Sequence, residues 1–172
     1  MFDNAAFASS SLSMRPAHAM DAPFLERLYR SARPDLQLLD GPQDQREALI
    51  AQQYGVMQAG TATNHPNAMH FVVEKQGGQV GGLIVDFGAN VVHLIYLALI
   101  PAVRGQGLGR ELVRGLQQAA ARAHAPLTAV VWRSNPRARQ LYIELGFTVE
   151  SAQPAAEQLV WYPDARPMVV VQ

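Results

Sequence analysis

The chain has 172 residues, 49% hydrophobic and 16% charged, which suits one folded domain and excludes a disordered, charge-rich chain. Fourteen Lys and Arg balance fourteen Asp and Glu, so there is no surplus positive charge to call for nucleic acid or an anionic membrane as partner. The absence of cysteine excludes disulfides and thiolate nucleophiles, and the five histidines show no paired ligand spacing, so no metal is expected.

Residues 1–11, "MFDNAAFASSS", carry Asp3 and lack both a basic start and a long apolar stretch; they read as a flexible leader rather than a signal peptide. Residues 12–172 read as a single domain. Leu12–Ala17 predicts a first strand. A helix follows over "DAPFLERLYRSAR", with Asp21 placed to cap it, Phe24, Leu25, Leu28 and Tyr29 on one face, and Pro34 ending it. Tyr29 is expected in the core. Gln43–Ala59 predicts a second helix with Ala48, Leu49, Val56 and Met57 on its apolar side, and "GTATNHPNA" a polar loop.

Met69–Lys75, the turn "QGGQ" and Val80–Phe87 predict a hairpin, and "GAN" turns the chain into "VVHLIYLAL". That run is rich in branched and aromatic residues, as a central strand buried on both faces would be. Its ten apolar-rich residues, "VVHLIYLALI", are interrupted by His93 and too short for a membrane-spanning helix, which needs ~20 residues; the cytoplasm is the expected location. Leu108, Leu112, Val113, Leu116, Ala119, Ala120 and Ala123 recur at helical spacing. "LTAVVW" predicts a buried strand. "NPRARQLYIELGF" predicts a helix with Asn135 as N-cap, Pro136 at its first position and Gly146 past its end. "TVE" and "QLVWYP" are short final strands. This order gives a mixed α/β (α+β) domain, a mostly antiparallel sheet flanked by helices, rather than an alternating doubly wound one. The tail "PMVVVQ" is apolar enough to pair with an edge strand, either of a second subunit in a homodimer or of its own chain.

One segment stands apart. "VRGQGLGREL" places three glycines and two arginines between Arg104 and Arg110, at the mouth of a helix. A helix N-terminus leaves N–H groups unpaired and carries roughly half a positive charge. Glycines let successive N–H groups converge on an anion, and arginines add forked donors. The segment therefore suits a phosphate cradle; it also suits a plain glycine turn with surface arginines. It is not the dinucleotide fingerprint, because Arg110 stands where the third glycine belongs, and no Gly-Lys-Ser/Thr of a P-loop follows.

"RGQGLG" resembles the R/Q-x-x-G-x-G/A signature of the GNAT superfamily of acetyl-CoA-dependent N-acetyltransferases. "LALIPAVRGQGLGRELV" is similar to that family's strand–loop–helix unit, and "NPRARQLYIELGF" to its N-x-x-A-x-x-L-Y-x-x-x-G-F helix. The resemblance covers roughly Leu12 to Tyr162. It implies a twisted central sheet with a splayed parallel pair of strands. It implies that the N–H groups of Arg104, Gly105, Gln106, Gly107, Leu108, Gly109 and Arg110 hold the pyrophosphate of coenzyme A. The backbone of Leu97 and Leu99 would pair with the pantetheine arm and polarise the thioester carbonyl, Asn135 would reach the cofactor across the split, and Tyr142 would sit near the sulfur.

Such an enzyme moves acetyl from acetyl-CoA directly to a primary amine of a small molecule or peptide. Tyr142 is the candidate acid for the leaving thiolate; its packing face with Leu141 and Leu145 also suits a core role. Many family members use a glutamate on the central strand as base, and "VVHLIYLALI" has no acid. His93 falls where that glutamate is expected, by strand alternation on the side of Ile95, Leu97 and Leu99, and an imidazole with an ordinary pKa near ~6.5 accepts protons at neutral pH. Asp86 is a second candidate, and water a third. Asn135 also has its own helix to cap. Gln53, Tyr54, His65 and His70 are candidates to border the acceptor pocket, and each also suits plain surface or packing. Two other classes stay open: an acyl-CoA-binding sensor of the same fold, favoured by the missing glutamate, and a nucleotide-binding protein, disfavoured by the absent nucleotide motifs.

Overall fold

A computed structural model describes residues 11–163; residues 1–10 of the expected leader and the tail "PMVVVQ", on which the homodimer expectation rests, lie outside the described residues. The elements are β1 (Leu12–Pro16), α1 (Ala22–Ser31), α2 (Pro34–Gln37), α3 (Gln43–Asn64), β2 (Met69–Lys75), β3 (Gly78–Phe87), β4 (Val92–Leu99), α4 (Leu108–Arg122), β5 (Leu127–Trp132), α5 (Pro136–Glu144), β6 (Thr148–Ala152) and β7 (Ala156–Trp161). Among the described residues seven strands form one sheet, in the order β1-β2-β3-β4-β5-β7-β6. Neighbours are antiparallel except β4 and β5, which α4 connects as a crossover. The meander β2-β3-β4 is as the short turns predict. Its first turn holds Gln76 (φ 51°) and Gly77 (φ 79°), both left-handed, as a tight two-residue hairpin requires.

Three local readings change. Asp21 begins α1 but does not cap it: its carboxylate accepts from Arg15 (2.8 Å), from the His18 N–H (2.7 Å) and from Gln79 (2.8 Å), joining β1, the α1 entry and β3. Pro34 does not only end α1; it opens α2, where its missing N–H costs nothing. The helix α3 runs to Asn64, five residues past the predicted end. Gly60 interrupts the pattern, but Thr61 is buried and donates its hydroxyl to the Met57 carbonyl (2.9 Å), and the His65 N–H continues the ladder to Thr61 (2.8 Å).

The sheet separates two apolar clusters. On one face Val85, Val92, Leu94, Leu127 and Ala129 pack with Leu108, Leu112 and Leu116 of α4 and Tyr142 of α5. On the other, Tyr29, Leu36 and Ile50 of α1–α3 pack with Tyr96. Val56, expected on the buried side of α3, is 59% exposed, and Ile50 is the buried residue instead.

The centre of the sheet is irregular. The strands β4 and β5 pair over only three steps, Val92↔Leu127, His93↔Thr128 and Leu94↔Ala129. On its other edge β4 carries a bulge at that same point: Ile84 faces Tyr96 and Val85 faces Leu94, leaving Ile95 as the extra residue. A bulge sharpens the local twist and bends its strand, so β4 parts from β5 beyond Leu94. It also resets the alternation. Leu94, Leu97 and Leu99 share the α4 face, whereas His93 shares the α1–α3 face with Tyr96. Uninterrupted alternation, which would put His93 with Leu97 and Leu99, is corrected by this one residue.

β3 and β4 approach closely at Gly81, where an added Cβ would lie 2.6 Å from the Ala98 carbonyl oxygen and 2.8 Å from Leu99 Cδ2. Gly81→Ala should therefore cost about 1–3 kcal/mol, seen as a lower urea midpoint. Gly55→Ala, in α3 with nothing within 4 Å of the new Cβ, should add about 0.5–1 kcal/mol.

Candidate active site

Where β4 and β5 part, a cleft of about 630 Å³ opens, lined from both sides of the sheet. Its walls include Tyr29 of α1, Arg33 just before α2, Gln53, Val56, Met57 and His65 from α3 and its end, His93 to Leu97 of β4, Thr128 and Trp132 of β5, and Asn135 and Tyr142 at α5. His93 and Tyr142 thus meet at one cavity, the first from the α1–α3 face and the second from the α4 face.

The free edge of β4 faces this cleft. The Ile100 N–H donates to the Val80 carbonyl (2.8 Å), toward β3, so alternation turns the backbone groups of Leu99 and Leu97 the other way, to the split. The Leu99 carbonyl is already engaged, accepting from Arg104 Nε at 3.0 Å. Arg104 also donates to the Ser31 carbonyl (3.1 Å), so its guanidinium ties the loop to β4 and α1 rather than pointing outward.

The glycine loop has the backbone its composition predicts. Gly105 (φ 78°) and Gly107 (φ 80°) are left-handed, and Gly107 is the residue before the first turn of α4. A Cβ on either would meet nothing within 4 Å, so conformation and open space, not crowding by the protein, are what make glycine necessary. Gly109 is different; its Cβ would touch Leu141 and Leu99, and it serves the packing of α4 on α5. Leu108 is buried in the core. Arg110 forms an ion pair with Glu144 of α5, and Gln106 accepts from Lys75 Nζ at 3.3 Å. Lys75 is a cation beside the loop that sequence reasoning missed, since the two lie 31 residues apart along the chain. Asn135 Oδ1 accepts from the Ala138 N–H (3.2 Å), so its side chain caps α5 while the residue lines the cleft.

The titratable groups are perturbed in useful directions. Burial pushes the Tyr142 hydroxyl up to about 12, so it stays protonated at any ordinary pH. Burial, and then the neighbouring His65, lower His93, with Asp86 opposing, so His93 is neutral at neutral pH. Its Nδ1 meets Thr128 Oγ1 at 2.6 Å. The ring of His65 lies 5.1 Å from that of His93, and His65 Nδ1 lies 2.9 Å from Asp86 Oδ2. Asp86, His65 and His93, three residues from three elements, are brought together. Tyr54 packs on Tyr29 with the rings tilted at 39° (centroids 5.0 Å) and lies outside the cleft lining, as does His70 in β2. The Tyr96 hydroxyl is buried, finds no hydrogen-bond partner among the described residues, and is pushed above the usual tyrosine range.

Residues 66–149, which hold β2 to α5 with the split and the glycine loop, match the acetyltransferase (GNAT) domain family. Over this stretch the chain is similar to the GNAT acetyltransferases. Solved structures agree in fold. A PaiA N-acetyltransferase of Thermoplasma acidophilum in complex with coenzyme A is 16% identical, covers 88% of this chain and 99% of its own, and superposes with a TM-score of 0.69. An acetyltransferase of Thermus thermophilus is 24% identical (88% and 97% covered, TM-score 0.66). The ribosomal-protein-S18-alanine N-acetyltransferase of Escherichia coli is 16% identical (94% and 99% covered, TM-score 0.63). No curated protein matches the chain in sequence. Among the described residues, no helix is long and apolar enough to cross a membrane, and no group of three or more His, Asp or Glu is placed to hold a metal ion.

Because the fold disfavours the charged form of His93, its NMR titration midpoint should fall below the ordinary ~6.5. The unfolded chain then binds this proton more readily, so the contribution of His93 to stability should decline as pH falls below ~6.5 and recover above it. A midpoint at or above the ordinary value would remove both expectations.

Proposed function

We propose that this protein is a cytoplasmic N-acetyltransferase, working as a single domain from Leu12 on, that moves acetyl from acetyl-CoA to a primary amine of a small molecule or peptide. The observation that carries the reading is the parting of β4 from β5 beside the open glycine loop, with an acid and a base entering the same cleft from opposite faces. Support for the acceptor class comes from solved relatives described as N-acetyltransferases, one of them acting on a ribosomal-protein alanine.

The residues present fit coenzyme A. The positive φ values and open space at Gly105 and Gly107 leave room for phosphates against the N-terminus of α4. The loop backbone from Arg104 to Arg110 would hold the pyrophosphate, with Lys75 near it. Arg104 and Arg110 contribute differently from simple outward cations, because one is a loop tether and the other is paired with Glu144. The exposed edge of β4, the Leu97 N–H and C=O and the Leu99 N–H, would take the pantetheine arm. Bound acetyl-CoA supplies the activated acyl group and a thiol leaving group.

The chain's own residues then do three things. The split aligns acceptor and acyl group, which is a large part of such a rate. Tyr142, protonated and buried at the α4 face, donates to the developing thiolate. His93, neutral and on the opposite face, accepts a proton from the amine nitrogen as the amide bond forms. Tyr96 lines the acceptor side, with its hydroxyl buried and without a hydrogen-bond partner among the described residues.

Gly107→Val should weaken coenzyme A binding strongly in calorimetry, because a β-branched residue strains the left-handed backbone there and its side chain enters space the protein leaves empty, while the far-UV spectrum stays largely native because the change is confined to the loop. Tyr142→Phe should lower kcat at least about tenfold with little change in coenzyme A affinity, since general acid catalysis is typically worth ~10²–10⁴. An unchanged kcat under conditions where chemistry limits turnover would return Tyr142 to the core. Tight coenzyme A binding with no transfer to any amine would favour the sensor.

A further inference from the structure

The acetyltransferase reading leaves one proton without an acceptor. An acceptor amine is an ammonium at neutral pH, and it must lose one proton to become a nucleophile and a second as the N–C bond forms. The C–S bond breaks in the same passage, and the thiolate takes a proton from Tyr142, which regains one afterwards. In balance, two protons leave nitrogen, one ends on sulfur and one goes to solvent. His93 takes the second of the two; nothing so far takes the first.

We propose that His65, held by Asp86, is a further catalytic base of this site, removing the first proton from the bound ammonium. The proposal rests on the acetyltransferase reading and deepens it. His65 follows the last turn of α3 and lines the cleft on the α1–α3 face, the face of His93. Its Nδ1 lies 2.9 Å from Asp86 Oδ2, and at that distance Nδ1 carries the hydrogen and donates to the carboxylate. The tautomer is thereby set, and Nε2 keeps the lone pair that accepts a proton. When it does, the imidazolium has the Asp86 carboxylate as its counter-charge.

His93 has no such support. Its Nδ1 partner is the neutral Thr128 hydroxyl, and burial opposes its charged form. A proton that must be held before attack therefore belongs on His65, and one passed on during attack suits His93. The other charged and titratable groups around this part of the cleft do not compete. Arg33 is bound by Asp35 (2.9 and 3.0 Å) and by the Tyr29 hydroxyl (2.7 Å). Tyr96 and Tyr142 stay protonated, and His93 across from His65 is neutral. Asp86 and His93 are direct cross-strand partners on β3 and β4, so the three groups are fixed by sheet register and by the end of α3 rather than by a mobile loop.

The test separates a base from a merely structural histidine through the basicity of the substrate. Phenethylamine is an ammonium at neutral pH; its β,β-difluoro derivative is largely neutral there. His65→Gln and Asp86→Asn should lower kcat/KM for phenethylamine by tenfold or more near neutral pH, and the loss should disappear as pH rises toward the amine's own pKa. For the difluoro amine both variants should stay within about threefold of the wild type. Equal losses for both amines at every pH, or no loss for either, overturn the proposal while leaving the acetyltransferase reading in place. A wild type that binds coenzyme A but acetylates neither these nor any other amine overturns both.

Discussion

The constraint on which the rest of the molecule depends is the single extra residue in β4. Ile95 has no partner on β3, and the strand turns there out of its ladder with β5 after three paired residues. Without that bulge the two parallel strands would zip together, the backbone of Leu97 and Leu99 would be satisfied within the sheet, and the cleft would close. With it, β4 presents an unpaired edge in the middle of a seven-stranded sheet. An interior edge cannot be left to aggregation with other strands, because helices cover both faces, yet it can accept an extended ligand of the right hydrogen-bonding pattern.

The same residue sorts the chemistry by face. Because alternation restarts at Ile95, Leu94, Leu97 and Leu99 all belong to the core with α4, while His93 and Tyr96 look toward α1 and α3. The glycine loop and Tyr142 lie with the first group; His65, Asp86, His93 and Thr128 lie with the second. The split in the sheet is thus lined by residues of both faces, and one cleft is reached from each. Tyr142 and His93 are kept on opposite faces by the sheet itself.

Electrostatics in this cleft work mainly by subtraction. The nearby arginines are committed: Arg104 to the Leu99 and Ser31 carbonyls, Arg110 to Glu144, Arg33 to Asp35 and Tyr29. What remains in contact with the cavity includes Tyr142, which burial keeps protonated, and His93, whose charged form burial disfavours, beside Trp132, which stays 61% exposed. In such surroundings a single carboxylate, Asp86, has more influence than it would among free charges, since neither water nor counter-ions screen it fully.

Local chemistry was legible along the chain because it depends on near neighbours. The order of strands and helices, the hairpin at Gln76–Gly77, the Asn135 cap, and the left-handed glycines before α4 all follow from residue types a few positions apart. The motifs "RGQGLG" and "NPRARQLYIELGF" carried the family for the same reason. What the tertiary structure alone decided involves partners far apart in sequence. The bulge at Ile95 is invisible in a run where every residue suits a strand, because it arises from pairing with β3. The last turn of α3, carrying Thr61 and His65 to the cleft, depends on burial that a polar, glycine-containing stretch does not announce. The meeting of Asp86, His65 and His93 joins the end of a helix to two adjacent strands, and no spacing rule encodes it. Sequence determined the order of the main strands and helices; only the packed sheet determined which side chains face one another, because that is set by register and twist accumulated across strands.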